Sequence, residues 1–255
     1  MRAGAPSPDE PCRNEPPVSA FVLGFADEAA QIAGLAWSLA GRDGALLALG
    51  GELSDPAASA SIDGESIRVE STVADREITV EASAGAGFDL VAEPAPPASP
   101  GGALVRAEVR IAGPGGDETV SCASNLTRWD GDPADGAELV RHVSVPVAGD
   151  GAILMIATRP AGAGDHATES VAAWRLDPGE DPSPFVESLL STQYDDDGKP
   201  TRAGLELWPA DPDAPATRAA GSRALSATAD GVTATLMHTS AEGTAGVGGY
   251  LIARP

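Results

Sequence analysis

The sequence predicts an all-β protein built from antiparallel strands, about fourteen of them, arranged as two barrels or half-barrels or as one large β-sandwich. Three observations carry that expectation. Apolar and polar residues alternate at a period of two in several segments. Strand-like segments recur every ~10–15 residues, with Gly, Asp, Asn and Pro between most of them. That spacing favours a barrel or sandwich over any α/β layout, and the lack of a fixed-period repeat argues against a propeller or solenoid.

In chain order, residues 1–17 hold five prolines and five charged residues and read as a flexible N-terminal tail. Strand character begins with VSAFVLGF (18–25). Leu35, Trp37 and Leu39 then alternate on one face before the turn Gly41-Arg42-Asp43-Gly44, and ALLALGGEL returns, so a hairpin is favoured over a helix. The clearest alternation is in SIRVESTV, where Ile67, Val69 and Val73 share a face opposite Arg68, Glu70 and Thr72. After Ala74-Asp75-Arg76 the pattern repeats with Ile78 and Val80, one face dry and one wet. These segments form an N-terminal β subdomain, 18–93. The Pro-rich stretch 94–102 can extend neither helix nor sheet, because proline fixes φ and removes a donor, and reads as a linker between subdomains or equally as a long loop within one domain. A C-terminal β subdomain, 103–255, follows.

Within that second part, Val105, Ala107, Val109 and Ile111 alternate against Arg106, Glu108 and Arg110, and ETVSCAS returns. Residues 124–138 are turn-rich and place Trp129 in an exposed setting. LVRHVSVPV, AILMIATRP and HATESVAAWRL read as further strands. The stretch 185–209 reads as a strand, a hydrophilic tip with Asp195, Asp196, Asp197 and the chain's only lysine, Lys199, and a returning strand. VTATLMH and VGGYLIA close the chain around Ala241-Glu242-Gly243-Thr244.

Composition excludes several functions. The net charge of −22, with 15 of the 16 basic residues scattered as Arg, leaves no basic patch for nucleic acid or an anionic membrane face. Two cysteines, Cys12 and Cys122, make no disulfide framework. The first residues lack the apolar core of a signal peptide and no run reaches spanning length, so a cytoplasmic protein without membrane insertion is expected. Setting Gly198 at the sixth position of an EF-hand loop puts Gly204 where the bidentate glutamate belongs, so that loop fails. His166 and Glu169 have a metal spacing only on a helix, and no metal site or cofactor is expected. Nucleophile-elbow, dinucleotide and phosphate-loop motifs are absent. His142 falls among the polar positions of its strand with Glu138 and Ser144, and His238 ends a strand. Trp37, Trp129, Trp174 and Trp208 stand out among ten aromatic residues, suited either to core packing or to lining an apolar pocket.

Gly204-Leu205-Glu206-Leu207-Trp208-Pro209 and the closing Gly243-Thr244-Ala245-Gly246-Val247-Gly248-Gly249-Tyr250 resemble the C-terminal part of lipocalin-like hydratase proteins, the group of carotenoid 1,2-hydratase and AttH-type proteins. The resemblance covers about the last fifth of the chain. It implies two consecutive lipocalin-like barrels or half-barrels around an apolar ligand, with hydration or cyclisation chemistry in some members. The aromatic-rich N-terminal segment associated with that group is replaced by SLAGRDGALL. The expected function is binding of an apolar, terpenoid- or lipid-like small molecule, with the four tryptophans as its lining. In the catalytic alternative, Glu206, His142 and Asp130 act as acid and base; protonating an alkene needs a buried, neutral carboxyl, so the decisive matter is which way Glu206 faces. An accessory protein without a ligand is the third reading. Exposed strand edges would permit dimerisation, and the sequence leaves the oligomeric state open.

Overall fold

The computed structural model describes residues 20–54, 59–63, 66–83, 87–90, 100–163 and 169–255. The tail 1–17 with Cys12, residues 94–99 of the Pro-rich stretch, and His166 lie outside them. The described residues form nineteen strands in two antiparallel sheets, with one 3-10 turn at Ala148–Asp150. The count exceeds the expected fourteen partly because short edge strands leave little mark on a sequence. Among the described residues no helix is long and apolar enough to cross a membrane.

The first sheet contains β1 (Ala20–Asp27), β2 (Ile32–Leu39), β3 (Arg42–Leu49), β4 (Glu52–Leu53), β5 (Ser59–Asp63), β6 (Ser66–Val73), β7 (Arg76–Ser83), β8 (Phe88–Asp89), β9 (Pro100–Ala112) and β10 (Glu118–Trp129). Its order is β4-β3-β2-β1-β10-β9-β7-β6-β5, with β8 beside β9. The second contains β11 (Ala137–Val147), β12 (Gly151–Pro160), β13 (Ser170–Leu176), β14 (Ser183–Pro184), β15 (Glu187–Tyr194), β16 (Pro200–Trp208), β17 (Thr217–Ala229), β18 (Val232–Ala241) and β19 (Thr244–Ala253). Its order is β14-β13-β12-β11-β19-β18-β17-β16-β15. Both sheets are wound alike: the first strand pairs with the last at the centre, early strands fan to one edge and later strands to the other. In the first sheet the edges meet, since β3 lies against β5 and β6 and Ser54 bridges to Val73, giving a nearly closed barrel. The second remains a half-barrel.

The hairpins follow from local chemistry. β2 and β3 are joined by Ala40-Gly41, both at positive φ (58° and 65°), the two-residue turn whose twist matches its strands. Arg42, Asp43 and Gly44, expected in the turn, already belong to β3. Gly44 is needed for space: a β-carbon there would stand 2.5 Å from Cζ2 of Trp37 on the neighbouring strand.

Alternation along these strands builds three cores. Phe21, Leu23, Leu47, Ile67, Val69, Val80 and Val109 fill the first barrel. Leu139, Val143, Ile153, Met155, Leu207 and Ile252 fill the second sheet's concave side. The opposite faces of the central strands pack back to back, β1 on β19, β2 on β18 and β9 on β12, around Val22, Leu35, Trp37, Trp129, Leu154 and Trp174. Each fully buried Val, Leu, Ile or Phe contributes roughly 1.5–3 kcal/mol, so this middle layer makes the two halves one unit.

Three expectations are corrected. Trp129 is not exposed: β10 continues through it and it is 1% accessible, because the turn signals begin only at Asp130. The change of sheet falls at 130–136; Pro100, Gly101 and Gly102, assigned to the linker, pair with β10 in the first sheet. The sequence reading passed over β17 entirely, since its Ala, Ser, Gly and Arg residues carry little apolar alternation.

Candidate functional site

The predicted site residues scatter over separate surfaces. Trp37, Trp129 and Trp174 are buried together in the layer between the sheets, as packing groups. His142 lies there too, fully buried on β11, with Nε2 2.8 Å from the Thr127 hydroxyl and its ring edge-on to Trp129 at a centroid distance of 6.4 Å. Burial pushes its imidazole down to about 3, so it is neutral, and Nδ1 has no partner among the described residues. A cavity of about 80 Å³ between the sheets, lined by Gly24, Phe25, Asn125, Ser144, Leu236 and Gly249, has room for water-sized occupants only. Asp130 is exposed at the end of β10. Glu206 and Trp208 share one face of β16, as the alternation requires, and that face points away from the core formed by Leu205 and Leu207. Glu206 is 45% exposed and paired with Arg218 at 3.1 Å, which is not the dry setting that a neutral acid needs. It lines an open trough of about 600 Å³ with Leu189, Leu190, Ser191, Leu205, Arg218 and Ser240. Glu206, His142 and Asp130 therefore do not converge.

A different set of side chains does converge, inside the second half-barrel. Arg141 occupies the face of β11 that also carries Leu139, Val143 and Val145 of that core. Its Nη2 donates to Glu169 at 2.9 Å, each side chain being 18% exposed, while its Nε has no acceptor among the described residues. Tyr250, on β19 directly opposite Val143, is fully buried, and its hydroxyl lies 2.9 Å from that of Thr192 on β15. Burial raises the phenol well above its ordinary range; Arg141 and the Thr192 contact offset this only in part, so Tyr250 remains a neutral donor. Tyr194, half exposed at the end of β15, also reaches this hydroxyl. Deeper in, Thr235 pairs with Ser226 at 2.9 Å and Thr233 with Thr228 at 3.0 Å. Arg159, on the inner face of β12, forms a second ion pair with Glu138 at 2.6 Å.

The strand path explains why these groups meet solvent on one side. The segment leaving β14 first follows β13, with Phe185 N–H donating to Ala173 C=O, then crosses to β16, with Val186 N–H donating to Trp208 C=O. The two edges of the half-barrel thus touch at one end and part toward Glu169 and Tyr194. Along the split the core comes to the surface through the half-buried Val171, Phe185 and Leu190. An apolar lip and a charged, hydrogen-bonding end therefore share one opening. The sequence reading named none of these residues; the signal available was an arginine at an inward position of an otherwise apolar strand.

Asp195, read as part of a solvated tip, is a structural hub instead. It accepts from the backbone of Asp197 and Lys199 and from Arg223 of β17, and these contacts hold its carboxyl below the usual range.

No family model matches the sequence, and no curated protein matches it. Solved structures do. An AttH candidate, NE1406 from Nitrosomonas europaea, superposes with a TM-score of 0.61 at 11% identity, over 99% of this chain and 98% of that one. CghA matches with a TM-score of 0.54 at 12% identity, over 93% and 88% of the two chains. CghA with Sch210972 matches with 0.53 at 11%, over 93% and 89%. The likeness is one of fold over nearly the whole chain, an all-β arrangement of one nearly closed barrel and one half-barrel.

Proposed function

We propose that this protein binds an apolar small molecule, lipid- or terpenoid-like, at the split in the second half-barrel, with its apolar body on Val171, Phe185 and Leu190 and a polar group at Arg141 and Tyr250. One observation carries the reading: the two half-barrels share a winding but not an interior. The first is filled with hydrophobic side chains such as Phe21, Leu23, Val69 and Val109. The second sets an ion pair and a buried phenol against its core, at the place where the sheet parts. An ion pair drawn largely out of water often adds little to stability, so this one marks a candidate ligand site. CghA, a protein of this fold, has been crystallised with Sch210972, which supports a double barrel as a seat for a second molecule. The catalytic alternative through Glu206, His142 and Asp130 draws no support from their separate positions.

The test is titration with N-phenyl-1-naphthylamine, an uncharged apolar fluorophore. Saturable binding with blue-shifted emission is expected, abolished by Val171→Glu on the lip, away from the trough that Leu190 also lines, and unaffected by Glu206→Gln in that trough. Absence of saturable binding, or indifference to Val171→Glu, overturns the assignment. Native mass spectrometry of protein from its own host then identifies any co-purified ligand.

A further inference from the structure

We infer that the molecule taken up at this split is an anion, a carboxylate on an apolar body, and that Glu169 is its tethered stand-in on Arg141; the inference rests on the binding reading above. The guanidinium stays charged, and it sits among Leu139, Val143 and Tyr250 with little access to water. If a neutral ligand displaced Glu169, it would leave that cation poorly hydrated and unpaired. A ligand that brings its own carboxylate keeps the site neutral.

The spare donors point the same way. Nη2 of Arg141 meets Glu169, while Nε is buried with no acceptor among the described residues, so at least one donor of the fork is unused. A free carboxylate can engage Nε and Nη2 together, the bidentate geometry that a glutamate held by its own backbone does not reach here. The Tyr250 hydroxyl lies against the same core and can serve the carboxylate by exchanging its contact with Thr192. Glu169 is suited to leaving: it precedes β13, and the ladder between β12 and β13 ends at Thr158 and Ser170, so its backbone is outside the sheet. Swinging out costs it one partly exposed ion pair and returns its carboxylate to water. In a chain of net charge −22 this inward arginine offers an anion a local attraction.

The experiment compares dodecanoate with dodecanol, two probes of equal chain length, as displacers of N-phenyl-1-naphthylamine from the whole chain at pH 7. Wild type is expected to prefer dodecanoate. Glu169→Gln, which removes the competing charge and keeps the shape, should tighten dodecanoate by about tenfold and leave dodecanol unchanged. Arg141→Gln should weaken dodecanoate by a similar factor and spare dodecanol. If Arg141→Gln loses its circular dichroism transition, the Glu169→Gln comparison decides alone. Equal responses of the two probes to Glu169→Gln overturn the inference while the apolar site stands. Failure of the fluorophore itself to bind overturns both.

Discussion

Acidification should weaken this protein through a single buried imidazole. His142 is held down to about 3 in the fold by burial between the sheets, against about 6.5 in the unfolded chain. The unfolded state therefore binds a proton that the native state refuses, and stability falls as pH drops from the unfolded value toward the folded one. The native form contributes its full advantage above roughly pH 6.5 and loses about 1.4 kcal/mol for each pH unit below it. Between pH 7 and pH 5 the single-site loss is roughly 2 kcal/mol, a large part of an ordinary domain's margin. Urea unfolding followed by tryptophan fluorescence suits the test, because Trp129 lies edge-on to the ring and Trp37 and Trp174 share its layer. His142→Gln, able to keep one hydrogen bond to Thr127, is expected to be less stable than wild type at pH 7 but to lose about 2 kcal/mol less between pH 7 and pH 5. Carboxylates contribute to both proteins alike, so the difference isolates His142. Parallel losses in wild type and variant would refute the reasoning.

Gly44→Ala should destabilise by about 1–3 kcal/mol, because the new methyl overlaps Trp37, which is buried against the second sheet and has no room to yield; an unchanged melting temperature would contradict that packing. Cys122 is fully buried and its thiol is pushed up to about 12, by burial first and then by Asp27 and Glu108. In a Cys12→Ser background it should resist a thiol reagent at pH 8 until the chain is unfolded in urea, and prompt labelling of native protein would show the opposite.

The fold class was legible because Ile67, Val69, Val73, Ile78 and Val80 make their alternation within one hairpin. β17 was not, since a strand of small residues reports no face until its neighbours supply one. Trp129 was misread because Asp130, Gly131, Asp132 and Pro133 begin one residue later, and a turn signal says nothing of the residue before it. The common winding of the two halves was hidden for a related reason: strand order is a property of pairing, and loops of unequal length erase any fixed period. The candidate site was least legible of all. Arg141 and Glu169, or Thr192 and Tyr250, become neighbours only when the second half-barrel curls. The resemblance at 204–209 drew attention to Glu206, whose facing depended on which side of β16 carries the core.

The pairing of first strand with last in each half has a consequence for synthesis. A nascent chain cannot close the first barrel until Trp129 has been made, since β1 waits for β10. That barrel then displays Val22, Leu35, Trp37 and Leu46 with nothing to cover them until β18 and β19, the last strands, arrive. A first half that folds during the intervening translation carries an adhesive apolar face. Truncation or stalling within β18 or β19 therefore yields an aggregating fragment in place of a smaller working one, and the closing strand, though far from the first half in sequence, governs whether that half survives.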